Sequence, residues 1–115
     1  MKAREYLTEV RTAYSNLRGM RERLRAEPGV GKQKALRTVL RSEALCYSDT
    51  LNDVWDTVEQ VEPQVCQDIL LHRYIFLETW EQIGAEMKCC LSTLYKHHAR
   101  GISKVQRILD ARNGR

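Results

Sequence analysis

On either side of the segment Glu27-Pro28-Gly29-Val30-Gly31, apolar residues recur at alternating steps of three and four. The first row is Leu7, Val10, Tyr14, Leu17 and Leu24, broken at Arg21 with Met20 beside the gap. The second is Leu40, Ala44, Tyr47, Leu51, Val54, Val58 and Val61, and it has no break. This alternation places side chains on one stripe of a helix, whereas a half-buried strand would alternate by two. The rows therefore predict two long helices, from about Lys2 to Ala26 and from about Gln33 to Gln60, each laid against another helix. Proline lacks an amide hydrogen and glycine is costly to order, so the helix stops at 27–31. The rows can satisfy each other as an antiparallel hairpin, or pair between chains as a coiled-coil homodimer. Either way the fold class is all-α.

Composition agrees with that class. Two prolines and six glycines are all that interrupt 115 residues rich in Leu, Arg, Glu, Ala and Gln. No apolar run approaches the roughly 20 residues needed to span a bilayer. The opening Met-Lys-Ala-Arg-Glu-Tyr-Leu lacks the apolar core of a signal peptide. The expectation is a cytoplasmic protein with no membrane partner. Cys46, Cys66, Cys89 and Cys90 are then reduced thiols, and their spacing fits no zinc pattern. Adjacent Cys89 and Cys90 do not make two corners of one tetrahedron with His97 and His98, so neither metal nor cofactor is expected. No carboxylate pair, activated nucleophile or glycine-rich phosphate loop points to catalysis, and no enzyme is expected.

Charge is unevenly spread. Residues 1–41 carry 11 basic and 4 acidic side chains, residues 42–87 carry 1 and 10, and residues 88–115 carry 7 and 1. A polyanion would meet the two ends of the chain, not its middle. Asp49, Asp53, Asp56 and Glu59 form an acidic outer face on the second helix, which reads first as solvated surface and second as a dock for a basic helix or a protein partner.

Beyond Pro63 a third helix is expected to about Tyr74, burying Val65, Ile69 and Leu70. Thr79 followed by Gln82 is a capping-box signature, opening a short helix that buries Trp80, Ile83 and Met87. Gly84 in its interior costs about 1 kcal/mol against alanine and implies a close backbone approach. A turn at Lys88–Cys90 then leads into a last helix from about Leu91. Short helix, tight turn and longer helix is the helix-turn-helix plan. Division at 61/62 gives a helical hairpin or coiled coil, 1–61, and a three-helix helix-turn-helix module, 62–115.

On the last helix, Tyr95, His98, Ile102, Val105 and Leu109 form the expected inward stripe, with His98 a structural histidine. Ser92, Thr93, Lys96, Ala99, Arg100, Ser103, Lys104 and Arg107 cluster opposite. That basic, otherwise small face suits a major groove. Ser92, Thr93 and Lys96 near its start can reach base edges, while Arg100, Lys104 and Arg107 can hold phosphates, with Thr79 and His97 at the flanks.

The stretch Leu71 to Ile102 resembles region 4 of bacterial sigma factors, and small phage or prophage proteins built on that region. The matching pieces are Arg73-Tyr74-Ile75, Thr79-Trp80-Glu81-Gln82-Ile83-Gly84, and Leu94-Tyr95-Lys96 with Arg100. The resemblance implies a final helix that reads promoter DNA, with Ser92, Thr93 and Lys96 at base-reading positions, Arg100 on the backbone, and RNA polymerase as a second partner. The family has glycine before the first of these helices and in the turn. Here Leu77 and Lys88 stand there, and Lys88 would have to accept a left-handed conformation.

These readings converge on a sequence-specific transcription regulator that binds double-stranded DNA. Residues 1–60 show no aromatic cluster suited to capturing unpaired bases, which separates the chain from a complete sigma factor. One alternative is an adaptor that binds polymerase or a phage protein without reading DNA. A weaker alternative is a small DNA-packaging subunit, which would assemble as a ring.

Overall fold

The first apolar row lies on α1, Ala3–Ala26, and the second, up to Val58, on α2, Val30–Val58, with Val61 just beyond it, in a computed structural model that describes residues 1–114. The break between them is shorter than the sequence suggests, because Val30 and Gly31 already belong to α2. A first helical turn has no partners for its amides, so glycine there loses little. Local bonds close the connection: Glu27 Oε1 accepts from the Gly29 amide at 3.0 Å, and Gln33 Nε2 donates to the Glu27 carbonyl at 2.7 Å.

After α2 come α3, Gln64–Leu70, a π-helical turn at Leu71–Ile75, α4, Trp80–Met87, and α5, Leu91–Arg112. All regular structure among the described residues is helical. No helix is long and apolar enough to cross a membrane. The expected third helix thus divides, since beyond Leu70 the backbone widens and the Phe76 amide donates to the Leu71 carbonyl at 2.9 Å.

One core joins the first residues of α1 to the end of α2, α3 and α5. Leu7, Val10, Val54, Val58, Val61, Cys66, Leu70 and Val105 are fully enclosed in it. Each such aliphatic side chain contributes about 1.5–3 kcal/mol by leaving water. A smaller cluster of Ile69, Ile83 and Leu94, flanked by Trp80 and Met87, ties α4 to α3 and α5. The boundary expected at 61/62 therefore runs through a shared core. Gly101 permits the α3–α5 crossing, because a Cβ there would lie 3.1 Å from Leu70 Cδ1.

Between Tyr14 and Asp53 no residue is fully buried. Leu17, Leu24, Leu40, Tyr47 and Leu51 of the two rows are half-buried, Tyr14 is 37% exposed, and Ala44 lies on the surface with Glu43 in its place. Two helices alone leave a shared stripe open at its edges, and α3 and α5 supply the third side only near the chain's N-terminus. The outer halves of α1 and α2 extend the molecule to 51 × 38 × 17 Å, with a radius of gyration of 17.2 Å, against the roughly 13–14 Å of a compact chain this long.

A polar network closes the base. Thr57, fully buried, accepts from Arg112 Nη2 at 2.5 Å and donates to the Asp53 carbonyl at 3.1 Å. The Tyr6 hydroxyl donates to Asp53 Oδ2 at 2.5 Å and lies 2.8 Å from Thr57 Oγ1. Asp53 thus bonds inward rather than only facing solvent, and α1, α2 and α5 are tied by groups that satisfy one another.

Candidate nucleic-acid interface

Thr79 and Gln82 form the expected box at the start of α4. Thr79 Oγ1 accepts from the Gln82 amide at 3.2 Å, and the Thr79 amide donates to Gln82 Oε1 at 2.8 Å. Two otherwise orphaned amides are satisfied, an arrangement worth about 1 kcal/mol. At the other end Lys88 is left-handed, with φ 53° and ψ 45°. Leu77, before the helix, is left-handed too, at φ 57°. Gly84 fits beneath the turn, where a Cβ would lie 3.1 Å from the Cys89 carbonyl oxygen.

The turn delivers α5 with its N-terminus free. Ser92, Lys96, Arg100 and Arg107 are exposed, whereas Thr93, His97 and Lys104 are half-buried. Among the described residues, Lys96, Arg100, Lys104 and Arg107 make no ion pair, so all four charges remain available. The opposite stripe differs from the expected one. Leu94, His98, Gly101, Val105 and Leu109 are the buried residues of α5, and Tyr95 is 47% exposed. The apolar pair Leu94-Tyr95 offers two ways of turning the helix. Trp80 decides between them by packing against the Tyr95 ring edge-on, with centroids 5.1 Å apart, while Leu94 enters the small core. Ile102 is half-buried beside that stripe.

His98 is buried as expected, with Nε2 2.7 Å from the Tyr74 hydroxyl. Burial first, and then the charges of Arg4 and Arg73, push its pKa down to about 4. Burial also raises the Tyr74 phenol above its ordinary value. The pair is therefore neutral at neutral pH.

Cys90 precedes α5, with Sγ 3.3 Å from Ser92 Oγ and 3.2 Å from Thr93 Oγ1. These hydroxyls, helped by backbone amides of the first turn, lower its thiol to about 7. Two residues expected to read bases thus also touch an exposed and partly ionised thiol, an arrangement that pattern reading did not detect.

Between the π turn and α4, His72 Nδ1 bonds to Glu78 and lies 3.0 Å from Glu86 Oε2. The His72 bond holds Glu78 below the ordinary carboxyl value, and the bond to Glu78 pushes Glu86 up. Their ligand atoms lie within 4.8 Å of one another, close enough to hold a metal ion. The mutual hydrogen bonds account for this geometry without one.

Comparison of the chain with family models, with curated proteins and with solved structures returns no match.

Proposed function

We propose that the chain is a sequence-specific regulator that binds duplex DNA, with α4, the turn at Lys88–Cys90 and α5 acting as a helix-turn-helix and the antiparallel α1–α2 hairpin as its support. The observation that carries this reading is the outward face of α5. A tight turn presents it N-terminus first, and it bears Lys96, Arg100, Lys104 and Arg107 with no acidic partner among the described residues. In this reading Ser92, Thr93 and Lys96 enter the major groove, while Arg100, Lys104 and Arg107 hold phosphates, joined by Thr79 and His97 at the flanks. The resemblance to sigma-factor region 4 adds RNA polymerase as a partner and supports a role in transcription. A homodimer through α1 and α2 would present two reading helices to paired half-sites.

The test is the double variant Lys96→Ala, Arg100→Ala in a duplex-binding assay. A good base contact is worth about 1–3 kcal/mol and a charge-assisted phosphate contact somewhat less, so affinity should fall at least tenfold at moderate salt. Unchanged affinity would exclude this face.

A second reading, an adaptor without DNA contact, draws on Phe76. It is 50% exposed and stands edge-on, 5.8 Å away, to Trp55 of α2, the helix that carries Asp49 and Asp56 and ends at Glu59. That reading predicts that any DNA association has almost no salt dependence.

A further inference from the structure

The N-terminal half of α1 does more than fill the core. Arg4, Thr8 and Arg11 repeat at helical spacing on one face, and that face forms one wall of a cleft of about 260 Å³. Arg73, Tyr74 and His98 stand on the other side. Among the described residues none of the three arginines makes an ion pair. Arg73 is held in place: its Nη1 donates to the Glu78 carbonyl at 2.9 Å, and its guanidinium lies 5.0 Å from the centre of the Trp80 ring. Three cations thus line one open cavity, in which Tyr74 and His98 bond each other and the Thr8 hydroxyl donates to carbonyls of its own helix. Such repulsion is unfavourable unless an anion relieves it, and arginine matches the oxygens of a phosphate in paired fashion. Burial first, and then the charges of Arg4 and Arg73, lower the basicity of His98.

We infer that the cleft between α1 and the π turn binds a phosphate group, and that the group is a backbone phosphate of the duplex held by α5. Placement favours that source. The cleft is also lined by Trp80, the first residue of α4 and the neighbour of Thr79, which is assigned to the DNA backbone above. From α5 the cleft takes His98, and the Trp80 ring that lines it packs edge-on against both His98 and Tyr95. A phosphate held there would give α1, through Arg4 and Arg11, a part in the footprint beyond the two reading helices. The choice of duplex as the source rests on the function proposed above; the phosphate site itself does not.

The experiment compares Arg4→Gln, Arg11→Gln with Arg18→Gln, Arg25→Gln, an equal loss of charge on the same helix outside the cleft. Binding to a short labelled duplex of mixed sequence is followed by anisotropy between about 50 and 200 mM salt, the range in which counterion release is measured. The cleft variant should bind about tenfold more weakly, with a salt slope shallower by about 1, as expected for one lost phosphate. The control should stay within about twofold of the parent, since its arginines contact no phosphate in this account. Equal losses in both variants, or none in either, overturn the inference. If the parent binds no duplex, the proposed function falls, and inorganic phosphate followed by the His98 and Tyr74 ring resonances decides the site. Shifts that disappear in the cleft variant show a free-phosphate site, and absence of shifts in the parent overturns it.

Discussion

Lys88 holds φ 53° and ψ 45°, a conformation that costs an ordinary L residue roughly 1–2 kcal/mol because Cβ crowds the following carbonyl. Its side chain is exposed and makes no ion pair among the described residues. Lys88→Gly should therefore stabilise the protein by about 0.5–1 kcal/mol, after glycine's greater freedom in the unfolded chain offsets part of the relief. Urea denaturation measures this, and a destabilised variant would contradict the strain argument. Leu77 is a poorer test because its side chain lines the arginine cleft. The sequence pointed to a left-handed Lys88, through the missing glycine of the turn, but not to a left-handed Leu77. The Thr79–Gln82 box was legible directly, since donor and acceptor lie three residues apart and a local rule suffices. The bonds among Cys90, Ser92 and Thr93 are equally local, but they depend on side-chain rotation that no periodicity reports.

At the scale of elements, the helices fall close to where apolar spacing places them, and the exceptions have separate causes. The π turn after Leu70 leaves no mark in composition. The facing of α5 was ambiguous because Leu94 and Tyr95 are adjacent and apolar, and tertiary packing on Trp80 resolved it. The Tyr74–His98 contact between the π turn and α5 has a measurable consequence. The His98 pKa is lowered from 6.5 to about 4, so in that interval the unfolded chain binds a proton that the folded chain refuses. The contribution is fully present above about pH 6.5 and is lost as pH falls toward 4, with stability rising with pH between them. Allowing for solvent screening, it is of order 1–2 kcal/mol. Unfolding free energies at both ends of this range should differ by that much more in the parent than in His98→Gln. Equal pH dependence in the two would refute the assignment.

For the whole molecule, the distribution of burial divides the chain more sharply than its helices do. Residues 14–53 contribute nothing fully buried, while both ends of the chain share one core closed by Tyr6, Asp53, Thr57 and Arg112. Amide exchange should accordingly be fast along the outer halves of α1 and α2 and slowest at residues 6–10, 54–58, 69–70 and 98–105. Uniform protection along α1 and α2 would instead reveal a partner covering them, as a coiled-coil homodimer requires. The continuous apolar row on α2 did not disclose this, because spacing predicts which face is turned inward but not how many helices cover it. Nor did it disclose the arginine cleft, whose cations come from positions 4, 11 and 73. The charge blocks point a polyanion to the two ends of the chain, where the α5 face and Arg4 and Arg11 lie, whereas Arg73 is the one basic side chain of the acidic middle. Whether α5 reads duplex DNA is decided by sequencing the duplexes retained by the protein from a randomised pool at two salt concentrations. A DNA-reading α5 yields a recurring motif whose retention weakens as salt rises. No enriched motif, with retention indifferent to salt, would contradict it.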